Sequence, residues 1–587
     1  MLSTYTYPRY TSPRAPELEA PGRVPRHPVV VVGAGPVGLA AAIDLAQQGQ
    51  PVILLDDDDT VSVGSRGLCY AKRTLEYLDR LGVGDAVVAK GVTWNVGRTF
   101  FGDDEVFRFN LLPEADHERP GMVNLQQYYL EQYLVERAQQ LPGLTLRWKH
   151  KVTAVAPGAG AGDGVRLTVA TADGSFALDA DWLIVADGAR SPVRRMLGLD
   201  IEGKVFQDRF LIADVVMKSQ PPGPGGGAAD SGQPGTAPDE TVRGRARPGQ
   251  ERWFWFDPPF HRNQSVLLHR EADDVWRIDF QLGWDADPEA EKQPERVIPR
   301  IRAMLGPDAA FELEWVSVYT FQCRRMGRFR HGRVLFAGDA AHQVSPFGAR
   351  GANSGLQDAD NLAWKLDLVL RGLAPEALLD NYSAERVLAA DENLLNSTRA
   401  TDFITPKSQV SRDFRNAVLT LAREHAFARA LVNSGRLSVP AHLLDSALNT
   451  PDSEPFDGLM RPGAPLADAP VQAGWLLRHC GQRFVLMLFT PSAQALTAMQ
   501  CEHIARLADA PVPVHTLLVT GQAGALPAGL PAGTRQVLDA GGIARHRCDA
   551  RPGTAYLLRP DQHVAARWRG LDAAAVRAAV QRATCNA

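Results

Sequence analysis

The run Pro28-Val29-Val30-Val31-Val32-Gly33-Ala34-Gly35-Pro36-Val37-Gly38 decides the fold. A short, unbroken apolar segment rich in β-branched residues reads as a strand of a parallel sheet buried on both faces. Leu39 to Ala46 then supplies strong helix formers, and Gly49 stands where a helix cap is expected. The glycines between strand and helix have separate tasks. Gly33 permits the tight turn, Gly35 lets the backbone approach a pyrophosphate, and Gly38 lets helix and strand pack closely. The free amides of the helix start then face the phosphates. A second strand, Pro51 to Leu55, ends in Asp56, placed to accept hydrogen bonds from an adenosine ribose. Asp57, Asp58 and Asp59 read as a solvated turn.

Two further glycine-bearing segments follow at long spacing. Asp187-Gly188-Ala189-Arg190-Ser191-Pro192 comes directly after the apolar strand Trp182 to Ala186. Asp187 thus sits at a strand's carboxyl end, where ligands collect in such sheets. Gly338-Asp339-Ala340-Ala341-His342 ends the strand-like run Arg333 to Ala337, and the loop Pro346 to Gly355 opens a helix expected to begin near Leu356.

Size and composition bound the rest. A chain of 587 residues exceeds one core and implies about three or four domains. Hydrophobic residues make up 45% and charged residues 22%, as in ordinary soluble proteins. The net charge of −4, with both signs mixed throughout, gives no basic face for nucleic acid or acidic membrane. The six cysteines are far apart and form no C-x-x-C pair, so reduced thiols are expected and zinc or a disulfide framework is not. No apolar run approaches the roughly 20 residues of a membrane span. The proline-rich first 26 residues lack a signal-peptide core and read as an extended arm, open to packing on a neighbouring molecule; a cytoplasmic location follows.

The expected architecture is α/β: a Rossmann-like dinucleotide domain (27–200 and 325–400) split by an antiparallel-sheet domain (201–324). The second reading rests on the alternating, aromatic-rich segments 251–256, 264–269 and 275–282. The Gly/Pro/Ala/Ser-rich stretch 219–250 within it is expected to be a flexible loop. Residues 401–463 form a helical linker region, and 464–587 a small α/β unit with strands at 484–489, 514–519 and 555–558. No internal repeat is present.

Taken together, the three glycine motifs in this order resemble the single-component FAD-dependent aromatic hydroxylases, class A flavoprotein monooxygenases. The length is closer to the branch of phenol hydroxylase and 3-(3-hydroxyphenyl)propionate hydroxylase. The resemblance is specific over about 27–400 and looser over 460–587, which is similar to that branch's thioredoxin-like domain. It implies FAD contacts from Gly33, Gly35, Gly38 and Asp56, and from Arg66, which lies in a segment similar to the family's R-A element with Gly67 replacing alanine. Gln127 opens a Q-x-x-L-E-like helix. Asp187 belongs to the D-G motif, and Gly338 and Asp339 to the motif that holds the ribityl chain. Gly351, Ala352 and Asn353 would present amides to the flavin's electron-rich edge. The family more often has glycine and glutamine at Ala349 and Arg350. Arg350 is open to two readings, a charge near flavin or substrate and a structural role at the surface. The implied cycle has NAD(P)H reduce FAD, O2 add at flavin C4a, and the resulting hydroperoxide hydroxylate an electron-rich ring. A homodimer is expected.

A protein group is needed mainly to draw the phenolic proton. Alternation along 275–282 puts Arg277, Asp279 and Gln281 on one face and Trp276, Ile278 and Phe280 on the other. Arg277, Asp279 and His269 are the catalytic candidates, against the alternative of an ion pair on a solvated face. His342 reads as a packed histidine, and Tyr70 and Tyr319 are lesser candidates. Other readings are a flavin oxidase or dehydrogenase, a non-catalytic flavin-binding protein, and a halogenase suggested by Trp253-Phe254-Trp255-Phe256-Asp257-Pro258. Asp257 stands where that last group has isoleucine.

Overall fold

The computed structural model describes residues 4–19, 22–158, 163–218, 250–432, 437–472 and 474–587. The loop expected at 219–250 lies outside them, save for residue 250.

Arg26–Val32 is the central strand of the first sheet, parallel to Val52–Leu55 on one side and to Gly174–Val185 on the other. Val29, Val30 and Val31 are wholly buried, as a strand covered on both faces requires. Leu144–Arg147 extends the sheet beyond Val52–Leu55, and Val334–Phe336 extends it beyond Gly174–Val185. The carboxyl ends of Arg26–Val32, Gly174–Val185 and Val334–Phe336 therefore meet at one rim. That rim carries all three glycine motifs. The helices Pro36–Gln47, Gln127–Gln139 and Gly351–Leu370 pack together against this sheet.

The second sheet has eight strands, and Glu202–Met217, Val275–Leu282 and Ser265–Arg270 form its antiparallel centre. The strand Glu251–Phe256 is antiparallel to Ser265–Arg270 and parallel to Val96–Phe101, which pairs with Asp104–Asn110. Residues 96–110, expected within the dinucleotide segment 27–200, thus belong to the second sheet by hydrogen bonding. The reason is a long excursion between Trp94 and Met122, whose alternating pattern can pair only with an open sheet edge.

Ala377–Ile404 is a 28-residue helix running past both sheets. After the helices Gln409–Ala422 and Ala426–Leu431 the chain enters a five-stranded sheet. Phe484–Thr490 is parallel to Val514–Thr520 and antiparallel to Ala555–Leu558, which pairs antiparallel with Val564–Trp568. That is thioredoxin-like order, and all six cysteines are free.

The C-terminal unit is locked to the first by buried charge. Arg559, fully buried, donates to Glu385 at 2.6 and 3.0 Å and to Asp561 at 3.0 and 2.5 Å, while Lys365 donates to Glu385 at 2.7 Å. Trp364 packs edge-on against Phe484 at 5.8 Å.

The N-terminal arm packs on its own chain. Tyr5 stacks on Tyr128 at 4.2 Å and Tyr10 on Trp148 at 4.6 Å, while the Tyr7 hydroxyl accepts the Gly64 amide at 3.0 Å. The arm's tyrosines, set among its prolines, explain why it adheres. No helix among the described residues is long and apolar enough to cross a membrane.

Candidate active site

At the first rim, Gly33 has φ +105°, and a Cβ there would lie 2.4 Å from the Ala186 carbonyl oxygen. A Cβ on Gly38 would lie 1.9 Å from the Gly33 oxygen. Neither position admits a side chain. Gly35, the cap of Pro36–Gln47, is different: a Cβ there would meet nothing within 4 Å, so its backbone borders open space at a helix start. Asp56 accepts the Ala34 amide at 2.5 Å and the Asp58 amide at 2.8 Å, fixing the glycine loop. Burial nonetheless pushes its carboxyl pKa up. Asp187 accepts the Val193 amide through Oδ2 at 3.0 Å, while its buried Oδ1 has no partner. Gly338, at φ +62°, donates its amide to Asp358. Asp358 also takes His342 Nε2 and Arg386 Nε, each at 2.6 Å, so His342 is held in a buried ion-pair cluster. The neighbouring Asp339 carboxylate is reached by solvent from the cleft, while protein on its other sides raises its pKa by desolvation.

The cleft continues between the loop 62–71 and the start of Gly351–Leu370. That helix begins five residues before the expected Leu356, so Gly351, Ala352 and Asn353 form its first turn, where backbone amides lack helical partners. Asn353 stitches the two sides together. It accepts the Ala71 amide at 2.8 Å and donates to the Cys69 oxygen at 2.8 Å and the Ala349 oxygen at 2.6 Å. Ala349 has φ +51°, which explains why glycine suits this position. Arg350 is buried rather than at the surface, donating to Asn393 at 2.8 Å, because the loop folds it under the long helix. Gln127 uses its amide inside the protein: it accepts the Gly67 amide at 2.8 Å and donates to Ser62 at 3.2 Å and Glu131 at 2.7 Å. A Cβ on residue 67 would come within 2.7 Å of the Gln127 oxygen, so alanine there would need that side chain to shift. Arg66 is exposed; its amide donates to the Gly64 oxygen at 3.1 Å, and its side chain bonds no described residue.

Facing this loop is the second sheet. Arg277 is buried, donates to the Ser65 oxygen at 2.5 Å, and pairs with Asp279 at 3.1 Å. Arg277 lies opposite His269 on one neighbouring strand and opposite Asp214 on the other, so the three share one face. Trp276, Ile278 and Phe280 pack behind. The Arg277–Asp279 pair is therefore not on a solvated face. Gln281 of the same face accepts the Ser265 amide at 2.9 Å. Burial, aided by the Arg277 and Arg252 cations, holds His269 well below its ordinary pKa, and neither ring nitrogen has a partner. Burial pushes the Asp214 and Glu271 carboxyls up, against the pull of Arg277. Although Arg277 is desolvated, Asp279, Asp214 and Glu271 keep it firmly charged. The Tyr70 hydroxyl is buried without a partner, and Tyr319 lies near Asp339, its pKa pushed up to about 12 by burial.

Sequence reading missed Asp214, Glu271, Ser65, Arg252 and Cys69. An aspartate inside the apolar run Phe210 to Val216 was a legible signal for the first. The others assemble only through strand register.

The residues present fit a flavin dinucleotide. The bare Gly35 cap, the unsatisfied Asp187 oxygen, the solvent-facing Asp339 and the first turn of Gly351–Leu370 border one cleft with donors and acceptors free. Among the described residues no cluster of His, Cys, Asp or Glu could hold a metal ion.

Residues 26–397 match the family described as FAD binding domain. The chain is 33% identical over 449 residues to the 6-methylpretetramide 4-monooxygenase of Streptomyces rimosus, covering 72% of this chain and 70% of that protein. It is 29% identical to the para-nitrophenol 4-monooxygenase of a Pseudomonas species, covering 61% and 82%. The crystal structure of p-nitrophenol 4-monooxygenase PnpA from Pseudomonas putida superposes with a TM-score of 0.57 at 27% identity, over 70% of this chain and 99% of that one. The flavin-dependent monooxygenase PieE shares the fold over 97% of this chain and all of that one, with a TM-score of 0.73 at 24% identity. The chain thus belongs to the FAD binding domain family, as a class A flavoprotein monooxygenase that hydroxylates aromatic rings with FAD and a reduced nicotinamide.

Proposed function

We propose that the substrate is a phenol or a hydroxylated aromatic acid, held between the sheet face of Arg277 and the loop 62–71. The observation that carries this reading is the buried row Arg277, His269 and Asp279, aimed at the flavin-side loop and bonded to it through Ser65. In this reading Gly33, Gly35, Gly38 and Asp56 hold the adenosine end of FAD. Asp187, Gly338 and Asp339 hold its middle, and Gly351, Ala352 and Asn353 its ring edge. Arg66 reaches the cofactor from the exposed side, and Gln127 acts by fixing the loop that carries it.

Bound FAD supplies hydride acceptance and transfer of one oxygen atom from O2, chemistry no side chain here provides. The chain's own groups bind, orient and exclude water. His269, neutral by burial, can accept the phenolic proton at a ring nitrogen, and Arg277 stabilises the phenolate so formed. Asp279 holds the guanidinium in place. The six free thiols suit a cytoplasmic enzyme. The exposed Val410, Phe414 and Phe427 offer a homodimer apolar surface to bury.

The test is coupling. Arg277→Ala and Asp279→Ala should retain FAD yet divert most NAD(P)H oxidation, by at least fivefold over the parent, into hydrogen peroxide. Unchanged coupling in both variants would remove the pair from the substrate site.

A further inference from the structure

The row that carries Arg277 continues one strand further. Trp253 pairs with Leu268, so the next residues along the ladder, Arg252 and His269, stand side by side on the face that Arg277 shares. Arg252 is 7% exposed, yet it forms no hydrogen bond and no ion pair with any described residue. Its guanidinium carbon lies 5.6 Å from the Phe254 ring centre, and Asp279 is near enough for its charge to be felt without bonding it. Arg277, by comparison, has Asp279 at 3.1 Å and the Ser65 oxygen at 2.5 Å. A largely buried guanidinium with five donors and no acceptor from the chain leaves those donors for water or a bound anion.

A second observation is independent of the first. His269 is 3% exposed and both its ring nitrogens lack partners, beside the same arginine. Cys69, across the cleft, is committed to Asn124 at 3.2 Å, and Asn124 to the Trp94 indole at 2.7 Å and the Arg270 oxygen at 2.9 Å. Asp279, the carboxylate whose charge reaches Arg252, is bonded to Arg277 instead. Two residues along the strands the same face turns apolar, with Phe254 and Leu267. The face therefore offers a cationic end with an additional neutral donor, followed by an apolar step.

We propose that Arg252 and His269 form the anion subsite for the substrate, pairing with a carboxylate or phenolate oxygen while the ring lies on Phe254 and Leu267. This rests on the reading above that the ring is seated against this sheet. It adds Arg252 as a specificity-determining residue and assigns the substrate one anionic group at this end. A planar guanidinium takes a carboxylate through two parallel bonds, which lysine cannot reproduce.

The test measures binding by calorimetry on the full-length, FAD-loaded enzyme, with 3-hydroxybenzoate against 3-hydroxybenzamide. The two probes share a ring and a phenol and differ in charge. The acid should bind at least tenfold more tightly than the amide. Arg252→Gln should bring the two within twofold of each other, Arg252→Lys should keep part of the preference, and His269→Ala should weaken the acid more than the amide. FAD content and thermal midpoint serve as the folding check for each variant. 4-Nitrophenol, whose ionisation is visible in its own absorbance, separates the two anion sources. Arg252-dependent preference for its ionised form without an acid–amide preference assigns the phenolate. Equal binding of acid and amide with no preference for ionised nitrophenol overturns the proposal, as does a preference that survives in Arg252→Gln or failure of the acid to bind. If the acid preference holds while no hydroxylated product forms from any probe, the subsite stands and the reading of the reaction falls.

Discussion

Asp339 shows what one position contributes. It follows a glycine at φ +62° and precedes fully buried Ala340, yet is itself exposed at the rim that carries the glycine motifs. Hydrogen bonds to a charged group are worth about 1.5–3 kcal/mol, or roughly 10–150-fold in affinity. Asp339→Ala should therefore yield protein purified with less than about a tenth of the parent's FAD, read from the flavin-to-protein absorbance ratio. A variant with full, tightly held flavin would sink the assignment. The glycines around it were legible from sequence because each constraint is local: a positive φ or an absent Cβ is a property of one residue and its immediate turn. Arg252, His269, Arg277 and Asp214 were legible only in part. Which charges meet depends on the register among four strands drawn from residues 202 to 282, and alternation alone says which face a residue takes, not which neighbours it has.

Among the elements, the helix Gly351–Leu370 departs most from expectation, starting five residues early. Gly351, Asn353, Ser354 and Gly355 at its start carry little helix propensity, so sequence alone favoured a loop up to Gly355. The Asn353 side chain overrides this by bonding the backbone of both Cys69–Ala71 and Ala349. Asn353→Ala removes three hydrogen bonds, one buried and two part-buried, and leaves their backbone partners without it, a cost of about 2–4 kcal/mol. The thermal midpoint should fall by several degrees and the flavin should dissociate more readily. An unchanged midpoint would show that the stitch is dispensable. The strands expected at 251–256, 264–269 and 275–282 are found at Glu251–Phe256, Ser265–Arg270 and Val275–Leu282, since alternation marks a strand with one apolar face. The excursion 96–110 did not, since nothing in a strand names the sheet it will join.

For the whole molecule, the charge cluster at the seam of the first and last units has the largest stake. Glu385 is fully buried, and in spite of that desolvation Arg559 and Lys365 hold its carboxyl well below the ordinary range. Asp561 is lowered likewise, by Arg559 and His563 against burial. A carboxylate depressed on folding stabilises the native state above its unfolded pKa of about 4, and that contribution is lost as pH falls through the folded value. Arg559→Met leaves both acids short of a cation and should cost about 3–5 kcal/mol at pH 7. The difference from the parent should narrow below pH of about 4, as the variant's carboxylates protonate first. Urea midpoints at the two pH values check this; a loss under about 1 kcal/mol, or one that does not change with pH, would contradict it. The thioredoxin-like order was legible from strand spacing and resemblance, whereas the seam was not, because Glu385 and Arg559 lie in separate units.

The account stands most directly on what an aromatic ring does to turnover. The decisive measurement is NAD(P)H oxidation by the FAD-loaded protein across a panel of phenols and hydroxylated aromatic acids, with hydrogen peroxide quantified alongside. Strong stimulation by one aromatic, with hydroxylated product matching the nicotinamide consumed and little peroxide, is the predicted result. Oxidation at the same rate with and without every aromatic, returning peroxide in stoichiometric yield, would contradict it.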